Sequence, residues 1–96
     1  MDVRVEDETD RSVGGGHIVV RYFAGARAAA GVSEEELAAV NSLDELVRKL
    51  AVRHGERLSA VLQVASFLVN GVTWHDRRAP LPAGATVDVL PPFAGG

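Results

Sequence analysis

From residue 17 onward this 96-residue chain alternates between two hydrophobic rhythms, and before residue 17 it shows neither. The run Ile18-Val19-Val20-Arg21-Tyr22-Phe23 is rich in β-branched and aromatic residues, the composition of a strand. Alternation sends Ile18, Val20 and Tyr22 to one face and Val19, Arg21 and Phe23 to the other. Gly25 to Ala30 is alanine-rich and suits one or two helical turns closed by Gly31. Glu34 to Val40 favours helix by local composition, but the space before the next helix is too short for another, so an edge strand is expected. Ser42 and Glu45 have the spacing of a capping box, and Leu43, Leu46, Val47 and Leu50 then follow as one helical stripe. Arg48, Lys49 and Arg53 sit toward the C-terminal end, where they complement the helix dipole, and Gly55 ends the helix. A second short helical piece carries Leu58, Val61 and Leu62 on one side. Asn70-Gly71 between Phe67-Leu68-Val69 and Val72-Thr73-Trp74 predicts a hairpin, because both turn positions need φ > 0. His75 to Gly84 is loop, broken by Pro80 and Pro82. Ala85 to Leu90 alternates as a last strand, and Pro91-Pro92 ends it because neither proline can donate to a ladder.

The expected order is strand, strand, helix, strand, strand, strand. An amphipathic helix with one apolar stripe must cover a sheet. First and last strands that both read as half-buried fit side by side in the sheet centre. The fold class is therefore α+β of the β-grasp (ubiquitin-like) type: a mixed sheet of about four to five strands covered by one main helix. Residues 1–16 lack periodicity and hold few apolar residues, so they read as a disordered acidic arm with a Gly14-Gly15-Gly16 linker. Residues 17–96 are the domain, with a flexible tail at 91–96.

Composition narrows the chemistry. Hydrophobic residues make up 47% and charged residues 24%, the profile of a soluble globular protein. No apolar run is long enough to span a membrane. Met1-Asp2-Val3-Arg4 has no apolar signal core, so export is not expected. With no cysteine, disulfides, thiolate catalysis and cysteine-bound zinc are excluded, and a cytoplasmic location is the expectation. The net charge of −3 lies entirely in the arm, where Asp2, Glu6, Asp7, Glu8 and Asp10 oppose Arg4 and Arg11. The remainder is neutral, which gives no electrostatic footprint for nucleic acid. Lys49 is the one lysine in the chain.

No catalytic constellation emerges. His17, His54 and His75 are not at metal-ligand spacing, and no metal site is expected. His75-Asp76 has no nucleophile or third group beside it and reads as a solvated loop pair. Gly14-Gly15-Gly16 lacks the preceding strand and following Lys-Ser/Thr of a phosphate loop. Arg77-Arg78 is too small a spot to predict an anionic partner. What remains is the tail Pro91-Pro92-Phe93-Ala94-Gly95-Gly96. The proline pair gives a stiff exit from the sheet, and six extended residues reach at most about 20 Å. Glycines without a Cβ let the backbone pass a constriction, so the Gly96 carboxylate is presented on a narrow probe. Alternation also turns Phe23 and Leu90 away from the helix-covered face, where they form an apolar docking spot, extended by Thr73 or Trp74, or else ordinary scattered surface apolarity or a second small core.

The segment LVNGVTWHDRRAPLPAGATVDVLPPFAGG resembles the C-terminal half of the MoaD family, the molybdopterin synthase small subunits, and VRYFAGARAAAG resembles that family's opening strand and helix. The likeness covers about residues 17–96, and the PP-x-x-GG end is its most specific part. The thiamine sulfur carriers (ThiS) share the fold and the Gly-Gly end, but are usually shorter and lack the proline pair. One departure is Ala83-Gly84-Ala85, where the MoaD family often has acidic residues around the glycine.

The resemblance implies a sulfur carrier in molybdenum cofactor biosynthesis. A MoeB-like activating enzyme would use ATP to adenylate Gly96. A sulfurtransferase would supply the sulfur that makes the thiocarboxylate. Pro91, Pro92, Phe93, Ala94 and Gly95 would insert into a MoaE-like large subunit, with Phe23, Thr73, Trp74 and Leu90 at the interface. The chain itself would bind no cofactor and supply no catalytic side chain, counting as an enzyme only as a subunit. Alternatives are a carrier for thiamine or cysteine biosynthesis, a ubiquitin-like modifier of lysines, and a binding-only module with an inert tail.

Overall fold

The computed structural model describes residues 17–38 and 40–92. The expectations for the arm 1–16, for Phe93 and Ala94, and for the Gly95-Gly96 pair lie outside the described residues.

Eight elements follow in order: β1 Ile18–Tyr22, α1 Gly25–Ala30, β2 Glu34–Leu37, α2 Leu43–His54, α3 Glu56–Val64, β3 Ser66–Val69, β4 Val72–Thr73 and β5 Thr86–Leu90. The strands form one mixed sheet in the order β2-β1-β5-β3-β4. The first and last strands are indeed neighbours in its centre, and they run parallel. The Glu-rich stretch is an edge strand, antiparallel to β1 with Ile18 opposite Leu37. Here sheet pairing outweighs the helix propensity of Glu and Leu, as tertiary context commonly does.

The core lies on one face. Val20, Val87 and Val69 form one row across β1, β5 and β3, and Tyr22, Val89 and Phe67 the next. All six are buried. Leu43, Leu46 and Leu50 of α2 cover them, together with Leu58 and Leu62 of α3 and Ala26 of α1. Full burial of a leucine is worth about 1.5–3 kcal/mol. The second helical piece is thus a nine-residue helix with two fully buried leucines, and it shares the covering of the sheet with the main helix α2.

Local chemistry sets the ends. The Glu45 N–H donates to Ser42 Oγ at 3.2 Å. In return the Glu45 carboxylate accepts from the Asn41 N–H at 2.8 Å, one residue before the cap. Gly55, at φ 91°, ends α2. Asn70 and Gly71 take φ 51° and 83°, the left-handed pair that a two-residue hairpin requires, and Val69 faces Val72 across it.

Candidate functional site

Among the described residues the second face of the sheet carries no helix, and its residues come from the opposite alternation. One row runs Glu34, Arg21, Asp88, Leu68, Thr73 across all five strands. The row beside it contains Ser66 opposite Leu90, with Phe23 following β1 and donating its N–H to the Val89 carbonyl at 3.2 Å. Phe23 and Leu90 are both half-buried. They sit together at the end of the sheet where the chain leaves β5 for the tail. Pro91 is buried and Pro92 exposed, so the stiff exit begins against the domain.

At the centre of this face is a feature that the sequence reading missed. Arg21 Nε donates to Asp88 Oδ1 at 2.7 Å, and Nη2 donates to Oδ2 at 3.0 Å. Asp88 is buried while the Arg21 side chain is about half exposed. The hydrogen bond to Asp88, reinforced by its charge, raises the Arg21 guanidinium pKa still further. The Arg21 guanidinium also stands 5.9 Å from the centre of the Phe23 ring. The face is therefore an apolar patch edged by a fixed, geometrically matched ion pair.

Thr73 lies on this face at the β4 edge, exposed. Trp74 does not. Its N–H donates to the Phe67 carbonyl at 3.0 Å, and its ring packs partly buried against the core. The expectation that it extends the Phe23–Leu90 patch is thereby corrected: one residue beyond Thr73, alternation turns it to the helix side. Its indole N–H is buried with no partner among the described residues.

Two other clusters are structural. Glu35 points inward from the edge strand. Its carboxylate accepts from Tyr22 Oη at 2.5 Å and Arg53 at 2.7 Å, and meets His54 Nε2 at 2.5 Å. Burial alone would raise the Glu35 pKa, but the bonds from Tyr22, Arg53 and His54 outweigh it and hold it below the usual carboxylate range. Burial first, then the bond to Glu35, pushes the Tyr22 phenol up. This cluster fastens β2 to the end of α2. Arg77 lies 5.3 Å from the Phe67 ring centre, beside Trp74. Among the described residues no group of three or more His, Asp or Glu is placed to hold a metal.

The geometry is that of a small domain offering one sheet face and one chain exit, with its ionisable clusters occupied in holding the fold. The profile of the ThiS family matches residues 20–96, four-fifths of the chain. The chain belongs to the ThiS family. A search of curated proteins finds no match. Among solved structures, a protein assigned as molybdopterin converting factor subunit 1 of Pyrococcus furiosus is 28% identical, with a TM-score of 0.70 over 80% of this chain and 98% of that one. The complex of subunits 1 and 2 of the molybdopterin-converting factor of Helicobacter pylori contains a chain 25% identical, with a TM-score of 0.60 over 83% of this chain and 99% of that one. Small archaeal modifier protein 1 of Haloferax volcanii shares the fold, with a TM-score of 0.70 at 21% identity over 84% of this chain and 100% of that one. The ThiS/MoaD family comprises ubiquitin-like sulfur carriers, and the β-grasp expectation holds. No helix among the described residues is long and apolar enough to cross a membrane.

Proposed function

We propose that this ThiS family member is the sulfur-carrying small subunit for molybdopterin formation and that the Gly96 carboxylate is its reactive group. The observation that carries the reading is the 28% identity to the Pyrococcus furiosus subunit over 98% of that protein's length, with the family match running through residue 96. The likeness to a chain of the Helicobacter pylori complex supports a MoaE-like large subunit as partner.

The chemistry follows from the weakness of a carboxylate as an electrophile. A MoeB-like enzyme joins a Gly96 carboxylate oxygen to the α-phosphorus of ATP, and pyrophosphate leaves. Sulfide delivered by a sulfurtransferase then attacks the acyl carbon of the mixed anhydride, AMP leaves, and a thiocarboxylate remains. The tail enters the large subunit's active site, where the sulfur attacks the pterin precursor. The chain's own contribution is positioning: the Phe23–Leu90 patch docks the domain, and Pro91 and Pro92 aim the tail.

Incubation with a MoeB-like enzyme, ATP and a sulfide source should add to the intact protein the mass of one oxygen-to-sulfur exchange. The charged protein should then convert precursor only with the MoaE-like subunit present. A charged protein that instead supports thiazole formation would assign it to thiamine biosynthesis. Absence of any mass gain would leave the inert-tail module.

A further inference from the structure

A groove of about 680 Å³ lies away from the uncovered sheet face, between β2 and the C-terminal half of α2. Leu37, Ala38 and Val52 give it an apolar lining, and Val52 is 87% exposed. Arg48, Lys49 and Arg53 stand along its helix side. His17 and Glu36, paired at 3.2 Å, line it from the strand side. Arg53 is bound to Glu35, while Arg48 and Lys49 form no ion pair among the described residues. Among the described residues β2 pairs only with β1, and its other edge faces the groove.

We propose that this groove is the docking site of the chain's own acidic segment, residues 2–11. Charge complementarity selects that occupant. Five acids against two bases give the segment all of the chain's net charge of −3, while the rest is neutral. Arg48 and Lys49, which form no ion pair among the described residues, are the counter-charge it meets, with Arg53 beside them held by Glu35. Connection selects it again. Gly14-Gly15-Gly16 leads directly into His17, itself a lining residue. Glu6 to Asp10 lie seven to eleven residues from His17. A glycine-rich tether of that length spans roughly 15–18 Å on average, and the four residues of β2 extend about 13 Å. Such tethering corresponds to an effective concentration on the order of millimolar, far above that of a second copy in dilute solution. The docked segment covers an edge to which a foreign strand would otherwise add.

The test uses the full chain. Because the protein has no cysteine, Thr9→Cys gives a single position for a nitroxide label and leaves every acid in place. At about 20 mM salt the amide signals of Ala38, Lys49 and Val52 should weaken severalfold more than those of Gly71 and Val72 on the opposite edge. At about 0.5 M salt, where the Debye length falls from about 20 Å to about 4 Å, the difference should disappear. It should also disappear in R48E/K49E. Should that reversal unfold the chain, seen as loss of Val89 amide protection, R48Q/K49Q removes the charge without adding any. Equal weakening everywhere, or weakening that survives salt or loss of the two cations, overturns the proposal. Weakening of an isotope-labelled, unlabelled-nitroxide chain mixed with the nitroxide chain assigns the groove to a second copy. Groove amides that ignore the label but shift on addition of a polyglutamate peptide assign it to an external partner.

Discussion

Glu35 shows how one side chain decides the behaviour of an edge strand. It points a carboxylate toward the core side, and Tyr22, Arg53 and His54 satisfy it. Because its folded pKa is lowered, its contribution to stability is full above the ordinary value of 4.5 and is lost as pH falls through the folded value. Urea unfolding should therefore show the natural chain losing more stability than Glu35→Gln between about pH 5 and about pH 3. At neutral pH the variant should be less stable by about 1–3 kcal/mol, since Tyr22, Arg53 and His54 lose a charged acceptor. Ala24 is the second residue of interest. It holds φ 50° and ψ −126° at the start of α1, a conformation that an L side chain resists. Ala24→Gly should relieve it and stabilise the domain by about 1 kcal/mol after the added chain entropy of glycine is counted. That corresponds to a rise in Tm of about 4–8 °C, which a thermal melt would register.

At the scale of elements, the uncovered face is tested by charge. Phe23→Asp or Leu90→Asp should weaken binding to a MoaE-like subunit by tenfold or more, roughly the cost of a charge in a desolvated contact. The Tm should change little, because neither residue belongs to the buried core. Calorimetric titration and a melt on the same sample read both; a variant that unfolds would move these residues to the core. Both positions were legible from alternation in β1 and β5, as were the capping box at Ser42 and the Asn70-Gly71 turn, because period and turn chemistry are local. The Arg21–Asp88 pair was not. Each residue's face could be read, but their meeting depends on a register between strands 67 residues apart. Trp74 was misjudged for a related reason: β4 ends at Thr73, and a hairpin arm of two residues leaves little pattern from which to read a face. The length of α3 was also hidden, since Ala60 and Gln63 continue the helix without marking it by periodicity.

At the scale of the molecule, the domain and the tail are separable. The buried hydrophobic core among the described residues ends at Val89, and beyond it Pro91 is buried while Pro92 is exposed. Deleting Gly96 should leave the Tm unchanged and abolish sulfur transfer. It removes the terminal glycine and withdraws the reactive end by up to about 3.5 Å, more than a near-attack geometry absorbs. Binding to the large subunit should fall less than transfer, since the Phe23–Leu90 contacts remain. Single-turnover assays with the charged protein measure the first quantity and titration the second.

The central pairing of β1 with β5 has a kinetic meaning. Joining Val19 to Thr86 closes a loop of 67 residues, at an entropic cost of about 4 kcal/mol that no local contact offsets early. The sheet centre is therefore among the last parts to be completed. The patch proposed for docking takes Phe23 from one strand of that pair and Leu90 from the other, so it exists only once the pair has closed. A nascent or misfolded chain offers the terminal glycines without the surface that recruits a partner to them. On the proposed function, docking thus doubles as a proofreading step: finished molecules pass their sulfur to the large subunit, and unfinished ones are passed over.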